Sequence, residues 1–193
     1  MRELVFLLEE YSAKAMLESL LKRILDPKVT PRLIPFEGKQ DLEKQLVRKL
    51  RGYINPNARF IVMRDQDNHP DCTIIKRDLL NRCEEAGRLD VSLVRIACCE
   101  LESFYLADLA AVENALGING LSKQQGYAKY RNPDATQNPS RELKILTKNR
   151  YQKVEGSRAI GQHLNVGNER SSSFKNLIAG IRRMEQELLE LSI

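Results

Sequence analysis

Short apolar runs alternate with amphipathic stretches along the first hundred residues. Leu4 to Leu8 is continuously apolar, too short for a helix core and right for a central strand. Met16, Leu17, Leu20, Leu21 and Ile24 then recur at three-and-four spacing, which predicts a helix from Ala13 to about Leu25 with Ser12 as its N-cap, ended by Asp26-Pro27. Val29 to Phe36, broken by Pro31 and Pro35, reads as a shorter strand towards a sheet edge. Leu42, Leu46, Val47 and Leu50 mark a second helix, Asp41 to about Arg51, and Asn55-Pro56-Asn57 a turn. Phe60 to Met63 is the next strand, followed by a loop through Asp71 and a helix from Cys72 to Ala86 that stops at Gly87. Leu89 to Cys99 holds a further strand, apolar on both faces. This alternation predicts an α/β fold, a mostly parallel sheet with helices on both faces.

From Gly117 the strand signal fades. Asn119 to Asn138, rich in Gly, Asn and Gln, reads as a long loop with short helical pieces. Ser140 can cap a helix through about Asn149, Ser157 to His163 forms another, and Ser171 or Ser172 caps a last one carrying the stripe Phe174, Leu177, Ile178, Ile181, Met184 and Leu188. The expected division is an α/β domain over residues 1–116 and a loop-rich, helical C-terminal extension over 117–193, packed on the first.

Composition narrows the function classes. Lys and Arg number 31 against 26 Asp and Glu in 193 residues, a net charge of +5 that permits a nucleic-acid partner without demanding one. The four cysteines lack zinc-knuckle spacing, and the adjacent Cys98 and Cys99 read as small buried hydrophobes in a strand. The opening residues show no signal-peptide pattern and no run has the length of a membrane span, so a soluble, cytoplasmic protein is expected.

The chemistry gathers at strand ends. Phe60 to Met63 runs directly into Asp65-Gln66-Asp67, and in extended backbone the two aspartates share a side. Such a pair is costly alone and favourable around a divalent cation, although a plain strand-to-turn exit has the same composition. Glu9 follows the first strand, and Glu100 and Glu102 follow the last. Parallel strands deliver these carboxylates to one edge of the sheet, which predicts a site for Mg2+ or Mn2+ built from hard oxygen ligands. His69 can approach from its loop and Asp108 can cap or orient a neighbour. Lys144, Lys148, Arg150, Lys153 and Arg158 form a basic run, either a solvated face or a set of phosphate contacts.

These residues together resemble the Toprim domain of topoisomerases, primases and overcoming-lysogenization-defect type nucleases, and more closely a family of small bacterial Toprim-like proteins of uncharacterised function. The resemblance covers nearly the whole chain. It rests on Glu9 in Leu7-Leu8-Glu9-Glu10, on Asp65-Gln66-Asp67, on Glu100-Leu101-Glu102-Ser103-Phe104-Tyr105-Leu106-Ala107-Asp108, and on Tyr151-Gln152-Lys153 and Ser171-Ser172-Ser173-Phe174. It departs at Glu10, where many relatives carry glycine. The resemblance implies divalent-metal-dependent hydrolysis of a nucleic-acid phosphodiester, DNA before RNA. Glu9, Asp65, Asp67 and Glu100 would hold metal, Glu100 or Glu102 would complete the shell or help deprotonate water, and Lys153, ahead of Arg150, would offset charge on the phosphate. Lys148, Arg150, Lys153 and Arg158 are the implied nucleic-acid contacts. Two other readings stay open: a regulatory or toxin-like subunit of a bacterial defence module, since relatives often resemble partners of a separate ATPase and this chain, without a Walker loop, would not hydrolyse ATP itself, and a nucleic-acid or nucleotide binder without turnover.

Overall fold

Four strands, β1 (Arg2–Leu8), β2 (Val29–Pro35), β3 (Ala58–Asp65) and β4 (Ser92–Ala97), form one all-parallel sheet in the order β2-β1-β3-β4 in the computed structural model, which describes residues 1–191. The central strands are apolar on both sides, as a sheet covered on both faces requires. Leu4, Phe6, Leu8, Ile61 and Met63 enter one core, while Val5, Leu7, Phe60 and Val62 enter the other. β2 lies at an edge, where Pro31 can forgo its ladder donor.

Helix α1 (Tyr11–Ile24) covers the first face, and α2 (Lys39–Arg51) and α3 (Cys72–Glu85) cover the second. The chain steps from β1 outward to β2 and then back across β1 to β3. Right-handed crossovers therefore put α1 on one side and the next two helices on the other. Ser12 does not cap α1: Glu10 is the extended N-cap residue, and the Ser12 hydroxyl, inside the first turn, donates to the Glu10 carboxylate. Asp71 caps α3 by accepting from Thr73 N at 2.8 Å. β4 is shorter than its apolar run, because Leu89–Val91 is a 3-10 turn and Cys99, at φ 59°, bends the chain out of the sheet. Cys98 and Cys99 are thus half-buried beyond the strand, not inside it.

The C-terminal part adds α4 (Ser103–Leu106), α5 (Leu109–Leu116), three 3-10 turns between Ser122 and Ala135, α6 (Pro139–Leu146), α7 (Lys153–Gly161) and α8 (Ser172–Glu190). Ser171 caps α8, accepting from Phe174 N at 3.0 Å, whereas α6 begins on Pro139 rather than behind a Ser140 cap. The α8 stripe lies in the same core as Leu4 and Phe6 of β1, so these residues complete the layer that α1 begins. No helix among the described residues is long and apolar enough to cross a membrane.

Candidate functional site

The direction of strand order reverses between β1 and β3, and open α/β sheets bind their ligands at such a point beyond the strand carboxyl ends. Glu9 is the first residue after β1 and Asp65 the last of β3. Glu9 N donates to Met63 O at 3.1 Å, extending the pairing by one residue, and Asp65 N donates to Glu9 Oε2 at 2.9 Å. The Glu9 carboxylate therefore leans across the switch point onto β3.

Strand alternation decides where the neighbours go. Asp65 continues Ile61 and Met63 towards the α1 and α7 side, while Arg64 continues Phe60 and Val62 towards α2 and α3. Extended backbone does not persist to Asp67, which stands at φ 54°. Its carboxylate turns to Lys39 Nζ at 2.9 Å and lies 3.7 Å from Arg64 Nη2, so the expected same-side pairing of Asp65 and Asp67 fails. Both still border one cleft of about 380 Å³, lined by the carboxylates of Glu9, Glu10, Glu37, Asp65, Asp67 and Glu100 and by Lys39 and Lys153.

Crowding and burial raise the proton affinity of two members of this cluster, Asp65 and Glu9. Burial, reinforced by Glu10, Glu9 and Glu102, holds the Asp65 carboxyl well above the ordinary carboxylate range. Burial also raises Glu9, with the Asp65 amide opposing and Asp67 adding to the shift. At Lys153 burial works against the charge, but the Glu10 carboxylate 2.6 Å away outweighs it and the ammonium is held more firmly than usual. The hydrogen bond to Asp67 raises Lys39 likewise. The first turns of α1 and α2 add positive ends: neither Glu10 nor Gly38 caps its helix through a side chain, and both residues line the cleft. Gly38 sits at φ 100°, a conformation open to glycine, and its N–H donates to Glu9 O at 2.9 Å.

Behind Asp65 lies Glu102, only 1% exposed. Its Oε1 accepts from the Tyr151 hydroxyl at 2.9 Å, while Oε2 has no hydrogen-bond partner among the described residues. Burial raises Glu102, against the pull of Tyr151 and Lys153. The Tyr151 ring can reach it because residue 156 is glycine, where a Cβ would stand 2.5 Å from the ring. Glu100 borders the cleft and accepts from Ser140 N at 2.7 Å. Of the basic candidates only Lys153 lines the cleft. Arg158 pairs with Glu18 of α1, Arg150 donates to Gly117 O at 3.3 Å, and Lys148 is exposed beyond α6. Asp108 caps α5 and holds Asn165 N at 2.8 Å, a structural role. His69 borders a neighbouring pocket instead.

The residues that the strand-end reading missed are Arg64 and Lys39, while Glu10 entered it only as a departure from glycine. Arg64 is 7% exposed and donates to Asp65 O at 3.0 Å and to Glu43 Oε1 at 2.5 Å. A guanidinium embedded in an apolar strand needs such partners, and that was the available signal.

A family model described as Domain of unknown function (DUF4276) matches residues 8–182. The chain belongs to the DUF4276 family. No curated protein and no solved structure matches it. Every residue lining the cleft falls inside the DUF4276 match.

Whether this DUF4276 cleft suits a divalent cation can be tested on its own atoms. No three His, Cys, Asp or Glu side chains among the described residues already surround one point as a cage. The donor chemistry nevertheless suits a hard ion, because the acidic side chains of the cleft offer only oxygen, and behind its wall the buried Glu102 Oε2 lacks a hydrogen-bond partner among the described residues. Glu9, Asp65, Asp67 and Glu100 border the cleft as the candidate ligands, with Glu102 beside Asp65, and would have to close in to share one ion.

Proposed function

We propose that this DUF4276 protein hydrolyses phosphodiester bonds of nucleic acid, DNA before RNA, with Mg2+ or Mn2+ held by Glu9, Asp65, Asp67 and Glu100. The observation that carries the reading is Asp65: a buried carboxyl at the topological switch point, pressed by Glu9, Glu10 and Glu102, with an unpartnered Glu102 oxygen beside it. When bound, the ion would neutralise the attacked phosphate and make water a better nucleophile at neutral pH. The chain's own groups divide the remaining work. Lys153, at the first turn of α7, faces the carboxylates from across the cleft and offsets charge developing on the phosphate. Glu102, with its raised proton affinity and the Tyr151 hydroxyl to steady it, accepts a proton at Oε2. The uncapped amides of α1 and α2 draw the anionic backbone to the cleft. The Toprim-like kinship and membership of a defence module beside a separate ATPase belong to the same reading, supported by the Glu9, Asp65-x-Asp67 and Glu100-to-Asp108 pattern, and a cytoplasmic setting is proposed with them.

The test is cleavage of single- and double-stranded DNA and RNA by purified protein with Mg2+ or Mn2+, alongside calorimetric titration of Mn2+ in the absence of substrate. Replacing Asp65 and Asp67 together with alanine should abolish both cleavage and Mn2+ binding while leaving the circular-dichroism spectrum unchanged. Cleavage at the wild-type rate by the double variant would remove the assignment. Mn2+ binding without cleavage of any substrate would favour the nucleotide-binding regulatory reading.

A further inference from the structure

A second pocket of about 590 Å³ opens between α2 and α3, on the opposite side of β3 from Glu102, and shares Lys39, Gln40 and Asp67 with the acidic cleft. Its volume falls in the range of about 300–1,000 Å³ that small-molecule sites occupy. The floor is apolar, made by Ile75 and Leu79, which are 6% and 1% exposed. Around it stand the cations Lys39, Arg64 and Arg82, the imidazole of His69, and the carboxylates of Glu43, Asp67 and Asp78. Arg64 is the deepest of these. Its Nε and Nη1 are engaged by Asp65 O and Glu43, but Nη2 makes no hydrogen bond among the described residues and only faces the Asp67 carboxylate at 3.7 Å. A nearly buried guanidinium thus keeps donors available at the point where the two pockets join. Asp67 meanwhile supplies the negative charge between Lys39 and Arg64, the place that an anionic ligand would take.

Resting on the nuclease reading, we infer that this pocket receives one nucleotide unit of the strand whose phosphodiester enters the acidic cleft. Its phosphate is held by Arg64 and Lys39 and its base lies on Ile75 and Leu79, within reach of the polar groups of the loop after β3. The arrangement couples the two pockets: an Asp67 drawn towards a cation in the cleft releases Lys39 and Arg64 to the phosphate.

The experiment uses the full chain with a chelator present and reads binding alone. Deoxyadenosine monophosphate should shift the backbone amide resonances of Arg64, His69, Ile75 and Leu79. Inorganic phosphate should bind at least about tenfold more weakly, because it gains nothing from the apolar floor. A single-stranded hexadeoxynucleotide should displace the mononucleotide. Arg82→Glu, on the partly exposed wall, should weaken binding by about tenfold or more, and Asp67→Asn should strengthen it by removing the competing charge. Arg64→Ala would remove the central contact but also strand Glu43, so the wall variant and the resonance map carry the test. Shifts confined to the acidic cleft, phosphate binding as tightly as the nucleotide, failure of the hexanucleotide to compete, or weaker binding by Asp67→Asn would each overturn the inference. Because neither metal nor cleavage is involved, a chain without nuclease activity can still pass, and an active nuclease can still fail.

Discussion

At Asp65 a single side chain records the conflict in the cleft, and its titration can be turned into a measurement. Burial and the neighbouring carboxylates put its pKa above the value that it has in the unfolded chain. Between those two values the folded protein keeps a proton that the unfolded chain has lost. The contribution of Asp65 to stability is therefore fully present below the unfolded pKa and is lost as pH rises through the folded one. Asn at this position cannot ionise. Asp65→Asn should raise the melting temperature of the metal-free protein at pH 8 by a few degrees, the size that about 1 kcal/mol produces in a chain of this length, and by clearly less at pH 5. Calorimetric scans at the two pH values decide it, and an equal gain at both would contradict the raised affinity. Glu9 and Asp65 could be read from the sequence because each ends an apolar run, and parallel strands bring such ends to one edge. Asp67 could be read as a neighbour of the cleft, but not the direction in which it turns, which depends on a backbone angle of 54° that no periodicity announces. Arg64 stood out as a guanidinium in an apolar strand, but its partner Glu43 did not, because it comes from another element, α2.

Among the elements, α7 fixes the geometry on which the cleft depends. Local pattern suggested that Ser157 begins this helix, yet α7 starts at Lys153 and the Ser157 hydroxyl donates to Lys153 O at 2.5 Å, the back-bonding habit of serine inside a helix. The strands and the first three helices followed hydrophobic period closely, because each packs against the sheet through a single face. The helices after β4 were less legible, for they pack through contacts with distant parts, Tyr151 against Glu102 before α7 and Gly161 against Met16 at its end. The α1–α7 crossing shows this most clearly. A Cβ on Gly161 would stand 2.5 Å from the Met16 carbonyl oxygen, a main-chain atom that cannot swing aside. Gly161→Ala should therefore destabilise the protein by about 1–3 kcal/mol, the usual cost of overpacking. Because α1 begins just after Glu10 and α7 begins with Lys153, the same substitution should widen the cleft and reduce Mn2+ affinity. Urea unfolding and metal titration of the variant check the two parts. A variant as stable as the parent would show that the helices can separate without cost.

Across the whole molecule a chain with net charge +5 gathers six carboxylates at one edge of its sheet and answers them there with Lys39, Lys153 and, from behind, Arg64. Lys153 comes from 143 residues beyond Glu10, so the ion pair closes only when the C-terminal layer has docked on the sheet. Two roles for that lysine make opposite demands. As mere counter-charge it would shield Glu10 and compete with any cation. As a participant it would stabilise the phosphate while the transition state forms, a contribution worth about 10²–10³ in turnover for a single well-aimed group. Lys153→Ala frees Glu10 and leaves the cleft more negative, so Mn2+ affinity should hold or rise. DNA cleavage at saturating Mn2+ should nevertheless fall by about 10². Lys153→Arg, which keeps the charge but changes its shape, should recover part of the loss. Saturating the metal separates the two roles, since a variant that is slow only for want of an ion would then recover fully. Equal turnover by Lys153→Ala and wild type under those conditions would leave Lys153 as counter-charge alone and return the burden of phosphate stabilisation to Lys39, the other cation on the cleft wall.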